Sequence, residues 1–338
     1  MLDRQRHGRR QDRLAATLRA MAVAAAPFES AEAFPDERLR LFFVSAHPAI
    51  DSSMHAPLIL QVVLGLDAAR IAPAFLTSPA AMSQRLVRTK TKIREAAIPF
   101  DVPEEHELPP RLASVLEAIY ATYGLGWDAV HGADADARDL ADEAIWLARV
   151  LAQRLPDEPE AHALLALLLF CESRRAARRD ARGDYVPLSA QDPARWSEPL
   201  IREAETALAA AAGHGRHGGR FQLEAAIQSV HADRRRTGCT DWRAILLFYE
   251  HLVAHAPTLA AHIGRAIAVA EVGGAEAGLQ LLDGIDPALA AMHQPFHAAR
   301  AHLLQRLGRS DEAARALELA IGLAQDAAVR RFLLRHRA

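Results

Sequence analysis

The sequence has few cysteines, few aromatic residues and no long apolar run. Its 338 residues include two cysteines, Cys171 and Cys239, without a CxxC pair, which argues against a zinc or redox motif and favours a reducing compartment. The longest apolar run, 161–171, is too short to span a bilayer and predicts a buried helix. The first twenty residues are polar and arginine-rich, unlike a signal peptide. We therefore expect a cytoplasmic protein without a membrane partner.

Alternating patterns of polar and apolar residues, which predict β-strands, are also missing. Apolar residues make up 51% of the chain and aromatic residues 6%, with the strong helix formers Ala, Leu, Arg and Glu abundant. The composition therefore predicts an all-α fold and excludes the parallel-sheet classes. The length predicts two or three domains.

Sequence motifs of catalytic sites do not occur. The glycine-rich stretch 213–219 contains no GK[ST] and follows no predicted strand, and there is no GxSxG. The acids of 104–107 lie in a proline-rich break without signs of a pocket. Cys171 lies in a leucine run, where an inert core thiol is expected. We therefore predict that the protein is not an enzyme and uses no cofactor.

The sixteen histidines do not show the spacing of a metal site. His214 and His217 would need two further ligands, and none is suitably placed. His231 and His297 lie at helical positions among apolar residues, where partly buried packing is more typical than metal ligation. We predict no metal.

The net charge of −2 does not make the whole chain a basic nucleic-acid binder, but the basic residues cluster. The stretch Leu66–Arg94 has the pattern of two helices with a tight turn. We expect Asp67 to cap the first helix, which runs to about Phe75, Ser78 to cap the second and Pro79 to begin it. The second helix is predicted to bury Met82, Leu86 and Ile93 and to carry its basic residues on the opposite side.

This pattern is typical of a helix-turn-helix. A recognition helix needs short or polar side chains near its N-terminus for base edges, and Arg or Lys further along for phosphates. The candidate base contacts are Ser78, Ala80, Ala81, Ser83, Gln84 and Arg85, and the candidate phosphate contacts are Arg88, Lys90 and Lys92. The pattern alone leaves open a basic amphipathic helix that only faces solvent.

From Arg111 onward the sequence pattern predicts helices of about ten to twenty residues. Two of these helical blocks, near the C-terminus, resemble each other. Glu276 aligns with Glu312 at an offset of 36, as Ala277 does with Ala313. Periods near 34 are typical of tetratricopeptide-like helical pairs. Chance similarity among alanine-rich helices is the alternative.

The segments 35–50 and 64–100 resemble region 4 of extracytoplasmic-function (ECF) RNA polymerase sigma factors. The blocks that carry the resemblance are PDERLRL, HPA, AFL, MSQRLVR with a KIR ending, and IPF. Downstream, RDLADEAIWLAR, LPDEPEAHALLALLL, QDPARW, FQLEAAIQSVHA, TDWRAI, RAIAVAEVGG and HAARAHLLQRLGRSDEAA resemble the subgroup with a C-terminal tetratricopeptide-like extension.

The resemblance implies a function and a domain order. Region 4 would read the −35 element of promoter DNA and contact core RNA polymerase, and the extension would regulate the factor or bind a regulatory protein partner. The implied domains are a remnant of the region 2 tail (1–20), a linker (21–34), region 4 with its helix-turn-helix (35–98), a linker (99–110), a helical extension domain (111–190) and a tetratricopeptide-like domain (191–338).

The chain also departs from that family. Most of region 2, which binds core polymerase and melts the −10 element, has no counterpart, so we expect a truncated or degenerate form that does not initiate transcription alone. Pro57 and Pro73 are predicted to interrupt helices at a cost of roughly 3 kcal/mol each. These departures leave open a helical protein-interaction scaffold, derived from a sigma factor, with weak or no DNA binding.

Overall fold

The computed structural model describes residues 36–98, 101–128, 135–213 and 218–336. Within these ranges the protein is all-α, as predicted, and no β-strand is formed. An isolated antiparallel bridge joins Arg179 and Tyr185. The predicted region 2 remnant and first linker (1–34), and His214 and His217, lie outside the described residues.

The described residues form α-helices that are joined in places by short 3-10 helices. The α-helices, in chain order from α1 to α17, are Glu37–Ser45, His55–Val62, Ala68–Ile71, Pro79–Glu95, Leu108–Asp128, Ala135–Arg154, Pro159–Ser173, Glu198–Gly213, Arg220–Ala232, Arg234–Thr237, Trp242–His255, Leu259–Gly273, Ala275–Asp283, Pro287–Ala290, Gln294–Arg306, Ser310–Leu323 and Ala327–Arg335. Short 3-10 helices lie at Ser52–Met54, Ala72–Phe75, Glu105–Glu107, Arg175–Ala177, Leu188–Ala190 and Pro193–Arg195.

The described residues form two compact units, which divide between Leu155 and Pro156. The apolar run 161–171 lies in α7, whose side chains are mostly buried, as predicted. No helix among the described ranges has both the length and the apolar character that a bilayer crossing requires.

The first unit is built around α5, which packs against α1, α2 and α6. One apolar cluster combines Leu60, Met82 and Leu86 with Ala121 of α5 and Leu140 of α6. This core therefore continues across the segment 99–110, which the sequence marked as a linker. The predicted domain list remains a prediction, because a shared core does not define the evolutionary boundary.

Buried polar side chains join the helices of this first unit. The His55 ring lies between α2 and α5, with Nε2 at 3.1 Å from the carbonyl oxygen of His47 and 3.0 Å from that of Ile50. Because Nε2 must donate to these carbonyls, Nδ1 accepts from the Ser114 hydroxyl, 2.8 Å away. Burial lowers the pKa of His55, which favours this neutral form.

In the second unit neighbouring helices pack on one another, as α7 does with α8 and α15 with α16, and α9 packs mainly on α7. The pair α12/α13 and the pair α15/α16 begin 35 positions apart, at Leu259 and Gln294. Buried Gly278 and Leu282 therefore occupy the positions of buried Ala313 and Leu317. The offset of 36 inferred from the sequence is wrong by one residue, because helix starts and buried positions both align at 35.

A hairpin in the second unit contacts its last helix. In the hairpin, Val186 N–H donates to Arg178 O at 2.9 Å and Asp180 N–H donates to Asp184 O at 3.0 Å. The Asp184 carboxylate accepts from Arg331 at 3.1 Å and from Arg335 at 2.7 Å, both on α17. These contacts join residues that are 147 and 151 positions apart in the sequence, and we call them the hairpin clasp.

Candidate nucleic-acid interface

The predicted two-helix motif begins with α3, which is shorter than expected. The Asp67 carboxylate accepts from Arg70 N–H at 2.9 Å and caps the helix, as predicted. The α-helix ends at Ile71, and the chain continues as the 3-10 helix Ala72–Phe75. Its first turn contains Pro73, where the lack of an N–H does not cost a helical hydrogen bond.

The prediction that Pro57 and Pro73 interrupt helices is wrong, because the observed helix boundaries place neither proline in a helix interior. Pro57 is the third residue of α2, because the preceding turn is the 3-10 helix Ser52–Met54. The first N–H groups of an α-helix have no partner within that helix. Neither Pro57 nor Pro73 thus interrupts an α-helix in its interior.

The turn after Phe75 is closed by a left-handed residue. Leu76 has φ +49°, and its N–H donates to Pro73 O at 3.2 Å while Thr77 N–H donates to Ala72 O at 3.2 Å. Ser78 Oγ then accepts from Ala81 N–H at 3.2 Å, and Pro79 begins α4. The predicted cap and the predicted helix start are both confirmed.

The buried face of α4 determines which side chains point outward. Met82, Leu86 and Ile93 are 0%, 1% and 8% exposed, and they belong to one apolar cluster with Ile71. This confirms the predicted buried face. Since each helical residue turns by about 100°, the opposite side of α4 is determined by these three residues.

The outward face of α4, as we use the term, contains Ala80, Gln84, Val87, Arg88, Thr91 and Glu95. All are exposed except Thr91, which is half-buried. Ala80, with Ser83 beside it, leaves little bulk at the N-terminal end, so that another surface can approach the backbone there. The polar and cationic groups follow further along the helix.

Two of the predicted contacts, Arg88 and Lys92, are exposed cations. Neither side chain forms an ion pair or hydrogen bond within the described part of the chain. Arg94, two residues after Lys92, is also exposed, and its Nη2 lies 3.4 Å from Thr91 Oγ1. These three side chains extend cationic charge along and beside the outward face.

Two other predicted contacts lie away from the outward face and bind within the first unit. Arg85 is half-buried, and its Nη2 donates to Ser53 Oγ at 3.1 Å. Lys90 is half-buried, its Nζ donates to Gln61 Oε1 at 2.9 Å, and burial lowers its pKa. Both residues tether α4 to the preceding helices.

The remaining predicted residues are spread around the N-terminal half of α4. Ala80, Ser83 and Gln84 are exposed, whereas Ala81 is half-buried beside the core. Ser78 is exposed, but its hydroxyl is engaged as the helix cap. The structure thus brings Ala80 and Gln84 together with Arg88 on one face, and places Ser83 and Lys92 at its two edges.

The candidate DNA contacts predicted from the sequence did not include Val87 and Thr91, which lie on the outward face, or Arg94 at its edge. The sequence contained the signal: once Met82, Leu86 and Ile93 define the buried side, steps of 100° place Val87 and Thr91 opposite. Valine was passed over because it is neither polar nor charged.

No cluster of three or more potential metal ligands occurs among the described residues. His297 is buried and its Nε2 lies 3.1 Å from Ala291 O. His231 packs edge-on against Trp242, with ring centroids 5.5 Å apart. Burial raises the pKa of the Cys171 thiol, which disfavours the reactive thiolate.

The chain is similar to a family model and to a bacterial protein. Residues 111–212 match the family model described as "Family of unknown function (DUF6596)". An uncharacterized protein of Rhizobium meliloti (strain 1021) is 40% identical over 294 residues, which cover 87% of this chain and 69% of the relative. No solved structure matches the chain.

Proposed function

We propose a promoter-binding function for this chain, which belongs to the same family as the Rhizobium meliloti protein. In this proposal it is a sigma-factor-like transcription protein of the cytoplasm. Helices α3 and α4 act as the helix-turn-helix of region 4, read the −35 element and contact core RNA polymerase. The stacked pairs of the second unit act as a tetratricopeptide-like domain that binds a regulatory protein partner.

The observation that carries the proposal is the outward face of α4. Its N-terminal end has the small residue Ala80, its middle has Gln84, and Arg88 and Lys92 extend into solvent without protein partners in the described ranges. Small side chains allow a helix to approach base edges, an amide can bond to adenine, and free cations bind phosphates. The resemblance to region 4 assigns the same helix to the same task.

The number of free cations determines how strongly salt should affect binding. Each phosphate contact contributes about 0.9 to the slope of log K against log salt on duplex DNA. Arg88, Lys92 and Arg94 are the exposed cations of α4, whereas Arg85 and Lys90 are engaged within the unit. We therefore expect a slope of about −3 from this helix. This slope is shallower than the one expected if all five cations of α4 contacted phosphates.

The test is DNA binding by fluorescence anisotropy across a salt series, with promoter fragments from the source genome. Arg88→Ala and Lys92→Ala should each weaken binding and reduce the slope by about 1. Arg243→Ala removes an equally exposed arginine from the second unit and should leave binding unchanged. Absence of binding at low salt, or an equal loss in the Arg243→Ala control, would refute the proposal.

A second candidate function, a protein-interaction scaffold, is favoured by the tethers of Arg85 and Lys90. Cations held by Ser53 and Gln61 are not free to bind phosphates, so DNA affinity is reduced. The double variant Arg88→Ala/Lys92→Ala distinguishes the two functions in a pulldown with core RNA polymerase. A scaffold retains its protein partner in this variant, and it shows no promoter binding even before substitution.

A further inference from the structure

Val87 is an exposed apolar side chain in the middle of a polar helix face. It is 57% exposed, and α4 has no other large apolar side chain with such exposure. Its neighbours one turn away are the polar residues Ser83, Gln84, Lys90 and Thr91, as the steps of three and four residues require. Packing within the first unit therefore does not account for a valine at this position.

Local helix stability does not account for it either. A β-branched side chain loses rotamer freedom in a helix, so valine is a poorer helix former than alanine, glutamine or lysine. An exposed helix position with no packing partner is better filled by one of those residues. The methyl groups of Val87 are thus available to something outside the unit.

We infer that Val87 contacts the C5-methyl group of a thymine and makes this base a specificity determinant. The inference rests on the proposed DNA-binding function and adds a base identity to it. In the major groove the thymine methyl is the one apolar group that a base pair presents, and apolar side chains recognise it. A side chain without an exposed methyl or other apolar group at position 87 would not recognise that methyl.

The position of Val87 along α4 fits this contact. It lies eight residues after Pro79, about 12 Å along the helix at 1.5 Å per residue, which is comparable with the width of about 12 Å of the major groove. Valine is short, so the backbone must come close to the base. Ser83 and Ala80, the small exposed residues one and two turns before it, permit this approach.

The experiment replaces single thymines by uracil, which removes only the methyl group. The bound site is first selected from random duplexes, and each thymine of that site is then tested with the full chain. We expect one thymine at which uracil weakens binding about fourfold, the effect of one methyl group removed from water. Val87→Ala should weaken binding to the thymine duplex by a similar factor and abolish the difference between thymine and uracil.

Leu76→Ala is the matched control, because Leu76 is also exposed and apolar, at 66%, but lies in the turn before α4. This variant should keep the full thymine–uracil difference. Circular dichroism of Val87→Ala should match the parent, since the side chain is exposed.

The outcomes separate the inference from the function. DNA binding that is equally sensitive to uracil in the parent and in Val87→Ala overturns the contact and leaves the promoter proposal intact. Loss of RNA polymerase binding in Val87→Ala with unchanged DNA binding assigns the side chain to a protein partner and also overturns it. If the parent protein does not bind DNA, both the thymine contact and the promoter-binding function are refuted.

Discussion

At the residue scale, Gly278 allows α12 and α13 to pack closely. A Cβ atom at this position would lie 2.5 Å from the Ala266 carbonyl oxygen and 2.6 Å from the Ala270 Cβ. Neither atom belongs to a flexible side chain that could move away. The close approach of these two helices therefore depends on the missing side chain.

Gly278→Ala should lower the free energy of unfolding by about 1–3 kcal/mol, as overpacking in other cores does. The matched control is Gly322→Ala in α16, where an added Cβ would meet no atom within 4 Å. The control should raise the free energy by about 0.5–1 kcal/mol, because alanine is the better helix former. Urea unfolding of both variants measures the contrast, and equal effects would contradict it.

The half-buried side chain of His231 makes stability depend on pH. Burial, together with the positive charges of Arg174 and Arg234, lowers the pKa of His231 from 6.5 to about 3. Below pH 6.5 the unfolded chain binds a proton that the folded ring does not. The contribution of this group to stability is therefore full above pH 6.5 and is lost as the pH falls from 6.5 towards 3.

His231→Phe keeps an aromatic ring beside Trp242 and removes the proton site. Its free energy of unfolding should fall less between pH 6.5 and pH 4 than that of the parent, in denaturant titrations at each pH. The exposed His251→Gln serves as the control, and its pH dependence should follow the parent. If the slope is the same in all three proteins, His231 is not the group that titrates.

At the element scale, α4 shows how local sequence signals set a helix and its orientation. The N-cap at Ser78 and proline at the first helical position define its start, and the apolar spacing defines the side that enters the core. At its end, Ala97 has φ +48°, and Ile98 N–H donates to Ile93 O at 3.1 Å. The helix is thus closed at both ends by groups close in sequence.

Ser78→Ala should lower the free energy of unfolding by about 1 kcal/mol, the usual contribution of a serine cap. Ser83→Ala is the control on the same helix, because Ser83 is exposed and does not cap it. Its effect on stability should be within about 0.5 kcal/mol. Thermal unfolding of the two variants compares them directly, and an equal loss in both would argue against the capping role.

Most helices could be predicted from the sequence because their signals are local. The predicted start of the second motif helix at Pro79, for example, is the start of α4. The change to a 3-10 helix before His55 and after Ile71 could not be predicted, because it depends on how each short segment packs. It is also what accommodates Pro57 and Pro73.

At the scale of the whole molecule, the hairpin clasp is the longest-range feature of the second unit. Hydrogen bonds from Arg335 and Arg331 lower the pKa of Asp184, so the clasp weakens as the pH falls through that lowered pKa. Asp184 and Arg331 are far apart in the sequence, and no local pattern pairs them. The clasp could therefore not have been predicted.

Asp184→Asn should speed amide hydrogen exchange in α17, Ala327–Arg335, because both arginines lose their charged partner. High salt should have the same effect on the parent, since these side chains are exposed to screening. Asp311→Asn, an exposed acid at the start of α16, should not change exchange in α17. Unchanged exchange in Asp184→Asn would show that the hairpin clasp does not hold the last helix.

The sequence by itself determined the all-α class, most of the longer helices and the buried face of α4, because propensity, caps and the 3.6-residue period are local properties. Only the tertiary structure decided which cations of α4 are free: Arg88 and Lys92 extend into solvent, whereas Arg85 and Lys90 bind Ser53 and Gln61. It also decided that the first core crosses the segment 99–110 and that the repeat offset is 35. These features depend on which distant surfaces meet, and a one-dimensional pattern does not contain those contacts.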